Sequence, residues 1–230
     1  MKIPFLLTLF IILNFSQKNI HERWDKQLKK FVSETGKVNY KSWKNSFYEV
    51  ESYLKALKNR PPQEFWPKKE VMAYWINAYN ALTVQLILQN YPLKSIKDLK
   101  DPWGQKVIKI EGKSYSLDDI EHEVLRKMNE PRIHFAINCA SVSCPKLLNE
   151  AFNSLKLEQQ LYRLTCDFLS DESKNQLNSK KTMLSKIFQW YVKDFGSFGD
   201  RVDFFKKYGN NIINEKTSFR YLPYDWNLNE

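Results

Sequence analysis

Apolar residues recur at helical spacing through most of the chain. Ile20, Trp24, Leu28, Phe31 and Val32 form one amphipathic stretch opened by Asn19 and Glu22, and Phe47, Val50, Tyr53, Leu54 and Leu57 form a second, from about 43 to 57, closed by Arg60-Pro61-Pro62. From about 68 to 89 the pattern changes. Val71, Met72, Trp75, Ile76, Ala78, Tyr79, Leu82, Leu86 and Ile87 place apolar side chains on nearly every side, which marks a helix enclosed by other elements and stopped at Tyr91-Pro92. Period-two alternation is confined to short runs. Residues 107–110 and 113–115 flank Glu111-Gly112 and predict a hairpin, residues 132–139 alternate like a strand, and 219–226 read as a closing strand. Ser116 followed by Asp119 predicts a capped helix over 117–128; further helices are expected at about 155–170 and 185–195, with a small hairpin near 175–184 between them.

No internal repeat and no Gly/Ser/Pro-rich linker divides this pattern. The expected fold class is therefore α+β: one domain over 17–230, with several helices packed around a small, mainly antiparallel sheet. Ahead of it, one positive charge at Lys2, an apolar run from Phe5 to Leu13 and a small residue at Ser16 predict a secretory signal over 1–16. The run is short for a membrane span, so export to the periplasm or beyond is expected; the alternative is an uncleaved segment that anchors the domain to the membrane.

Composition narrows the function classes. With 43% hydrophobic residues in 230, the chain has the apolar material for a core, and a disordered reading is excluded. The formal charge is +10, yet its basic pairs (Lys29-Lys30, Lys68-Lys69, Lys180-Lys181, Lys206-Lys207) are scattered and no reading motif accompanies them, so no nucleic-acid partner is expected. The three cysteines, Cys139, Cys144 and Cys166, leave one thiol unpaired in an oxidising compartment.

The candidate chemistry centres on 133–145. Pro145 is suited to the first position of a helix, which would put Cys144 at its N-cap, where orphan N–H groups and the helix dipole favour a thiolate. The alternatives are an inert buried cysteine or a bridge to Cys139. A thiolate requires a proton shuttle, and His122, beside Asp118 and Arg126 at helical spacing, and then His134 are the candidates. Glu121 falls inside the apolar stripe of its helix, so its carboxylate must be paired, hydrogen-bonded or protonated; it or Asn138 would orient the imidazole. Asn77 and Asn80 on the enclosed helix must either fasten loops or line a cleft. No metal is expected, since the His and Cys spacing matches no zinc pattern, and no cofactor motif is present.

Three ordered motifs then carry a resemblance. Residues 73–82 (AYWINAYNAL), 116–122 (SLDDIEH) with Leu125-Arg126, and 134–141 (HFAINCAS) with Ser143-Cys144-Pro145 resemble domain-of-unknown-function family 547, as do Gly36-Lys37-Val38-Asn39-Tyr40 and the closing residues 224–229. The resemblance implies a bacterial, exported member and identifies the site region without naming a reaction. Its plant relatives carry the domain beside a coiled coil, and no sustained heptad is visible here. Two functions are therefore expected. One is a thiol-dependent hydrolase or acyl transferase, with Cys144 as nucleophile, His122 or His134 as base, and Glu121 or Asn138 in support. The other is a non-catalytic envelope protein binding a peptide, glycan or protein partner in an aromatic cleft lined by Trp75, Tyr79 and Trp103, with Asn77, Asn80 and Arg126 nearby.

Overall fold

Charge and apolar spacing act together in α1 (Glu22–Phe31). Glu22 and Asp25 lie in its first turn and Lys29 and Lys30 in its last, complementing the helix dipole, while Trp24, Leu28 and Phe31 are buried. The computed structural model describes residues 20–209 and 213–230; the expected signal over 1–16 and the helix-opening Asn19 lie outside the described residues. The short α2 (Tyr40–Trp43) is capped by the Asn39 side chain, and α3 (Phe47–Asn59) follows. Together they close an aromatic stack in which Trp24 lies 5.6 Å from both Trp43 and Tyr53, and Phe31 lies 5.2 Å from Trp43.

Helix α4 (Lys68–Asn90) is the enclosed helix that the pattern predicts, buried continuously from Met72 to Val84. After it, β1 (Ile108–Ile110) and β2 (Lys113–Tyr115) form the expected hairpin, turning through Glu111 and Gly112, both at positive φ. Helix α5 (Leu157–Ser170), the short α6 (Ile187–Trp190) and α7 (Phe198–Tyr208) surround a second aromatic core of Phe135, Phe168, Phe188 and Phe205. A second strand pair, β3 (Lys181–Leu184) with β4 (Ser218–Tyr221), is parallel. The α+β class holds; the sheet component is two separate two-stranded pairs, one antiparallel and one parallel.

Three local readings are corrected. Residues 132–139 are not a strand: Pro131–Phe135 is a 3₁₀ helix with Pro131 in its first turn and Glu130 as its cap. Arg132 through Asn138 are all buried, so apolar alternation there does not report a half-exposed strand. No helix follows Pro145, because side chains elsewhere take the backbone bonds a helix would use. Asn138 donates to the Pro145 carbonyl (2.7 Å), Asn77 bonds both the N–H and the C=O of Phe152 (2.9 Å each), and Gln160 donates to the Ala151 carbonyl (3.0 Å). The closing strand is shorter than expected and ends at Tyr221. Beyond it the tail lies across the molecule as a strap: Leu228 N–H donates to Lys94, Val142 N–H to Asn227, and Val38 N–H to Asn229.

Candidate functional site

The capping pair that the sequence shows, Ser116 and Asp119, starts the helical segment carrying Glu121. Ser116 N–H and Oγ donate to Asp119 Oδ2 (2.7 and 2.9 Å) and Asp119 N–H donates back to Ser116 Oγ (3.1 Å). The segment then widens into a π-helix over Asp119–Leu125, with Arg126 N–H donating to the Glu121 carbonyl. Such widened turns recur at functional sites. Glu121 is 5% exposed, inside the apolar stripe as expected.

Opposite it, the 3₁₀ helix presents His134, 3% exposed. His134 Nε2 donates to Asp194 Oδ2 (2.8 Å), and Tyr191 stacks on its ring at 3.9 Å. Asp194 is clamped from behind by Arg126, whose Nε and Nη2 reach its two oxygens at 2.6 and 2.7 Å. Burial alone would raise the Asp194 pKa, but the hydrogen bonds from His134 and Arg126 prevail and hold it well below the usual carboxylate range. An ionised Asp194 only accepts, so it holds a proton on Nε2, and in that tautomer Nδ1 is the ring's acceptor. That Nδ1 faces Glu121 Oε1 at 3.6 Å, beyond a hydrogen bond, and among the described residues neither atom has a hydrogen-bond partner.

Both side chains line a cavity of about 240 Å³. Its aromatic walls are Tyr79 from α4, Trp103 from the loop before β1, Trp190 and Tyr191 at the end of α6, and Tyr224 and Trp226 from the strap. Trp226 lies 4.5 Å from Tyr224, 5.6 Å from Trp103 and 5.9 Å from Trp190. Trp190, 45% exposed, is the wall residue most open to solvent. The hydroxyls of Tyr79, Tyr191 and Tyr224 are all pushed above their ordinary pKa, chiefly by burial, with the negative charge of Glu121 adding to the effect. A larger groove of about 800 Å³ lies between α1 and α3, but it is lined by surface charges such as Arg23 and Glu49, already paired at 3.4 Å.

The cysteines form one wall, and here the main correction falls. Cys144 Sγ is bonded to Cys139 Sγ at 2.05 Å, and Cys144 is 4% exposed. A sulfur in a disulfide carries no thiolate to attack a carbonyl, and with no helix after Pro145 the N-cap that would activate it is missing. Cys166 is the free cysteine among the described residues. The Cys139 N–H (3.0 Å) and the Tyr224 hydroxyl (3.3 Å) instead hydrogen-bond Cys144 Sγ.

The other expected site residues divide cleanly. Tyr79, Trp103, Glu121 and His134 meet in the cavity. Arg126 supports it through Asp194. His122 stands outside, half-buried, its Nδ1 3.1 Å from Arg126 Nη1. Asn138 is a fastener rather than an imidazole orienter, since its Oδ1 accepts from Ala140 N–H at 2.9 Å. Asn80 fastens too, donating to the Ala136 carbonyl (2.9 Å) and accepting from Asn138 N–H (2.8 Å), as does Asn77 at Phe152. Trp75 is 5% exposed against Tyr115 and takes no part in the cleft. Sequence reasoning missed Asp194, Trp190 and Tyr191 altogether; the aromatic density of 188–195 was their one signal.

A family model described as "Protein of unknown function, DUF547" matches residues 63–169. Over those residues the chain is similar to the DUF547 family. The matched segment supplies Tyr79, Glu121, His134 and the disulfide, whereas Trp190, Tyr191, Asp194, Tyr224 and Trp226 come from the chain after it. No curated protein and no solved structure matches the chain.

Proposed function

We propose that this protein is an exported, non-catalytic binding module whose aromatic cavity holds a small ligand against Glu121 and His134. One observation carries the reading: two side chains that line an aromatic-walled cavity, each more than nine-tenths buried, leave Glu121 Oε1 and His134 Nδ1 without a hydrogen-bond partner. Leaving a buried polar atom unpaired costs about 1–3 kcal/mol, and a ligand donor would recover it. Export is supported by the N-terminal apolar run and by a disulfide, a bond that persists in oxidising compartments. The thiol hydrolase reading lacks its nucleophile while Cys139 and Cys144 are joined.

A fragment screen read by indole ¹H–¹⁵N NMR tests the proposal. Binders should move the indole signals of Trp103, Trp190 and Trp226 and leave those of the core residues Trp24 and Trp43 in place. A screen in which no fragment moves the three cavity indoles, or in which hits map to the groove between α1 and α3, overturns it.

A further inference from the structure

Resting on that binding reading, we infer that the cavity's ligand presents a primary or secondary ammonium group, such as an alkylamine or a lysine-like side chain, bridged between Glu121 Oε1 and His134 Nδ1. With the Nε2 proton held by Asp194, that tautomer presents Nδ1 as an acceptor beside Oε1, so a group between them would bring two donors. An ammonium brings two or three N–H groups in a compact head. They are 3.6 Å apart, so one nitrogen at their edge can donate to both, whereas a carboxylate or phosphate would meet two lone pairs and be repelled.

Charge points the same way. The protein is basic overall, yet the carboxylates at this cavity are Glu121 and Asp118 in its lining and Asp194 behind His134. Against them stands Arg126, whose guanidinium is committed to Asp194. Asp118 has the ring of His122 at 3.8 Å and is half exposed. Glu121 has no cationic side chain closer than its histidine neighbour among the described contacts.

The walls complete the case. Electron-rich ring faces attract cations, and two of these rings already receive one from the protein: Lys97 Nζ lies 5.2 Å over Trp226 and the Arg126 guanidinium 5.4 Å over Tyr191. The cavity these rings line is about 240 Å³, below the ~300–1,000 Å³ of drug-sized sites, which suits one amine-bearing chain rather than a large polar ligand.

Isothermal titration calorimetry with n-butylammonium, tetramethylammonium and 1-pentanol tests the inference, with indole NMR recorded on the same samples. n-Butylammonium should bind at least about tenfold more tightly than the neutral alcohol. Tetramethylammonium, a cation without N–H donors, should fall between them. Glu121→Gln should abolish the preference; Asp118→Asn, at a half-exposed lining position, should weaken it by a smaller factor. Equal or tighter binding of 1-pentanol, or no binding of n-butylammonium at millimolar concentration, overturns the ammonium inference. If the alcohol or a neutral fragment nevertheless moves the indoles of Trp103, Trp190 and Trp226, the binding module survives with a neutral ligand; if nothing moves them, both readings fall.

Discussion

Two sets of buried polar side chains lie within this domain, and they are built on opposite rules. On α4 and in the segment before Pro145, Asn77, Asn80 and Asn138 have both ends of each amide bonded to backbone. At the cavity, Glu121 and His134 are as deeply buried but each leaves an acceptor without a partner. The difference separates polar groups that hold the fold together from polar groups that wait for something else. A fully bonded amide network stabilises and specifies a structure, while a half-bonded one is tolerated only where it serves another purpose.

The largest effect of this contrast is expected from Asn77→Ala. It removes two hydrogen bonds and strands the N–H and C=O of Phe152 in the core, so urea unfolding should show a loss of roughly 3–5 kcal/mol. A loss under 1 kcal/mol would mean that the fastening role is misassigned. Next is the bridge beside the cavity. Replacing Cys139 and Cys144 by Ser together reopens a five-residue link and should cost about 2 kcal/mol by chain entropy. In the unreduced protein, alkylation mapped by mass spectrometry should mark Cys166 and spare the other two; a label on Cys144 would reinstate the thiol nucleophile.

His21 is an intermediate case, with one ring nitrogen 2.7 Å from the Tyr53 hydroxyl. Burial pushes its pKa down to about 4 from an ordinary value near 6.5. The unfolded chain therefore takes up a proton first, and stability should fall as pH drops from about 6.5 to about 4, by roughly 1–2 kcal/mol for this partly exposed ring. His21→Gln should flatten the profile over that interval; an unchanged slope would assign the acid sensitivity elsewhere. The smallest effect is expected from Glu121→Gln. Because the amide keeps the side chain's shape and no hydrogen bond is lost at Oε1, chemical denaturation should place it within about 1 kcal/mol of the parent. A loss as large as that of Asn77→Ala would make Glu121 a structural residue after all.

How much of this was legible in the sequence follows from the range of the interactions involved. The enclosed α4, the Glu111-Gly112 hairpin and the Ser116–Asp119 cap depend on residues a few positions apart, and periodicity or turn chemistry reveals them. Glu121 was singled out for the same reason, since a carboxylate among apolar positions on one helical face is visible without a fold. The 3₁₀ turn at His134 and the unwound segment after Pro145 were hidden, because Asn77 and Gln160 supply their backbone bonds from distant parts of the chain. Asp194 and Tyr191 lie about sixty residues from His134, and only tertiary packing brings them to its ring. The motifs thus pointed to the segment that lines the cavity, Glu121 and His134 included, while the pairing of Cys144 with Cys139 stayed one of several alternatives.

The ring of His134 offers the most direct measurement. Long-range ¹H–¹⁵N NMR of its imidazole should show Nε2 protonated against Asp194 and Nδ1 bare in the free protein, and Nδ1 should shift on addition of n-butylammonium. An Nδ1 that already carries a proton bonded to Glu121, or that stays unmoved while the amine saturates, would contradict the account.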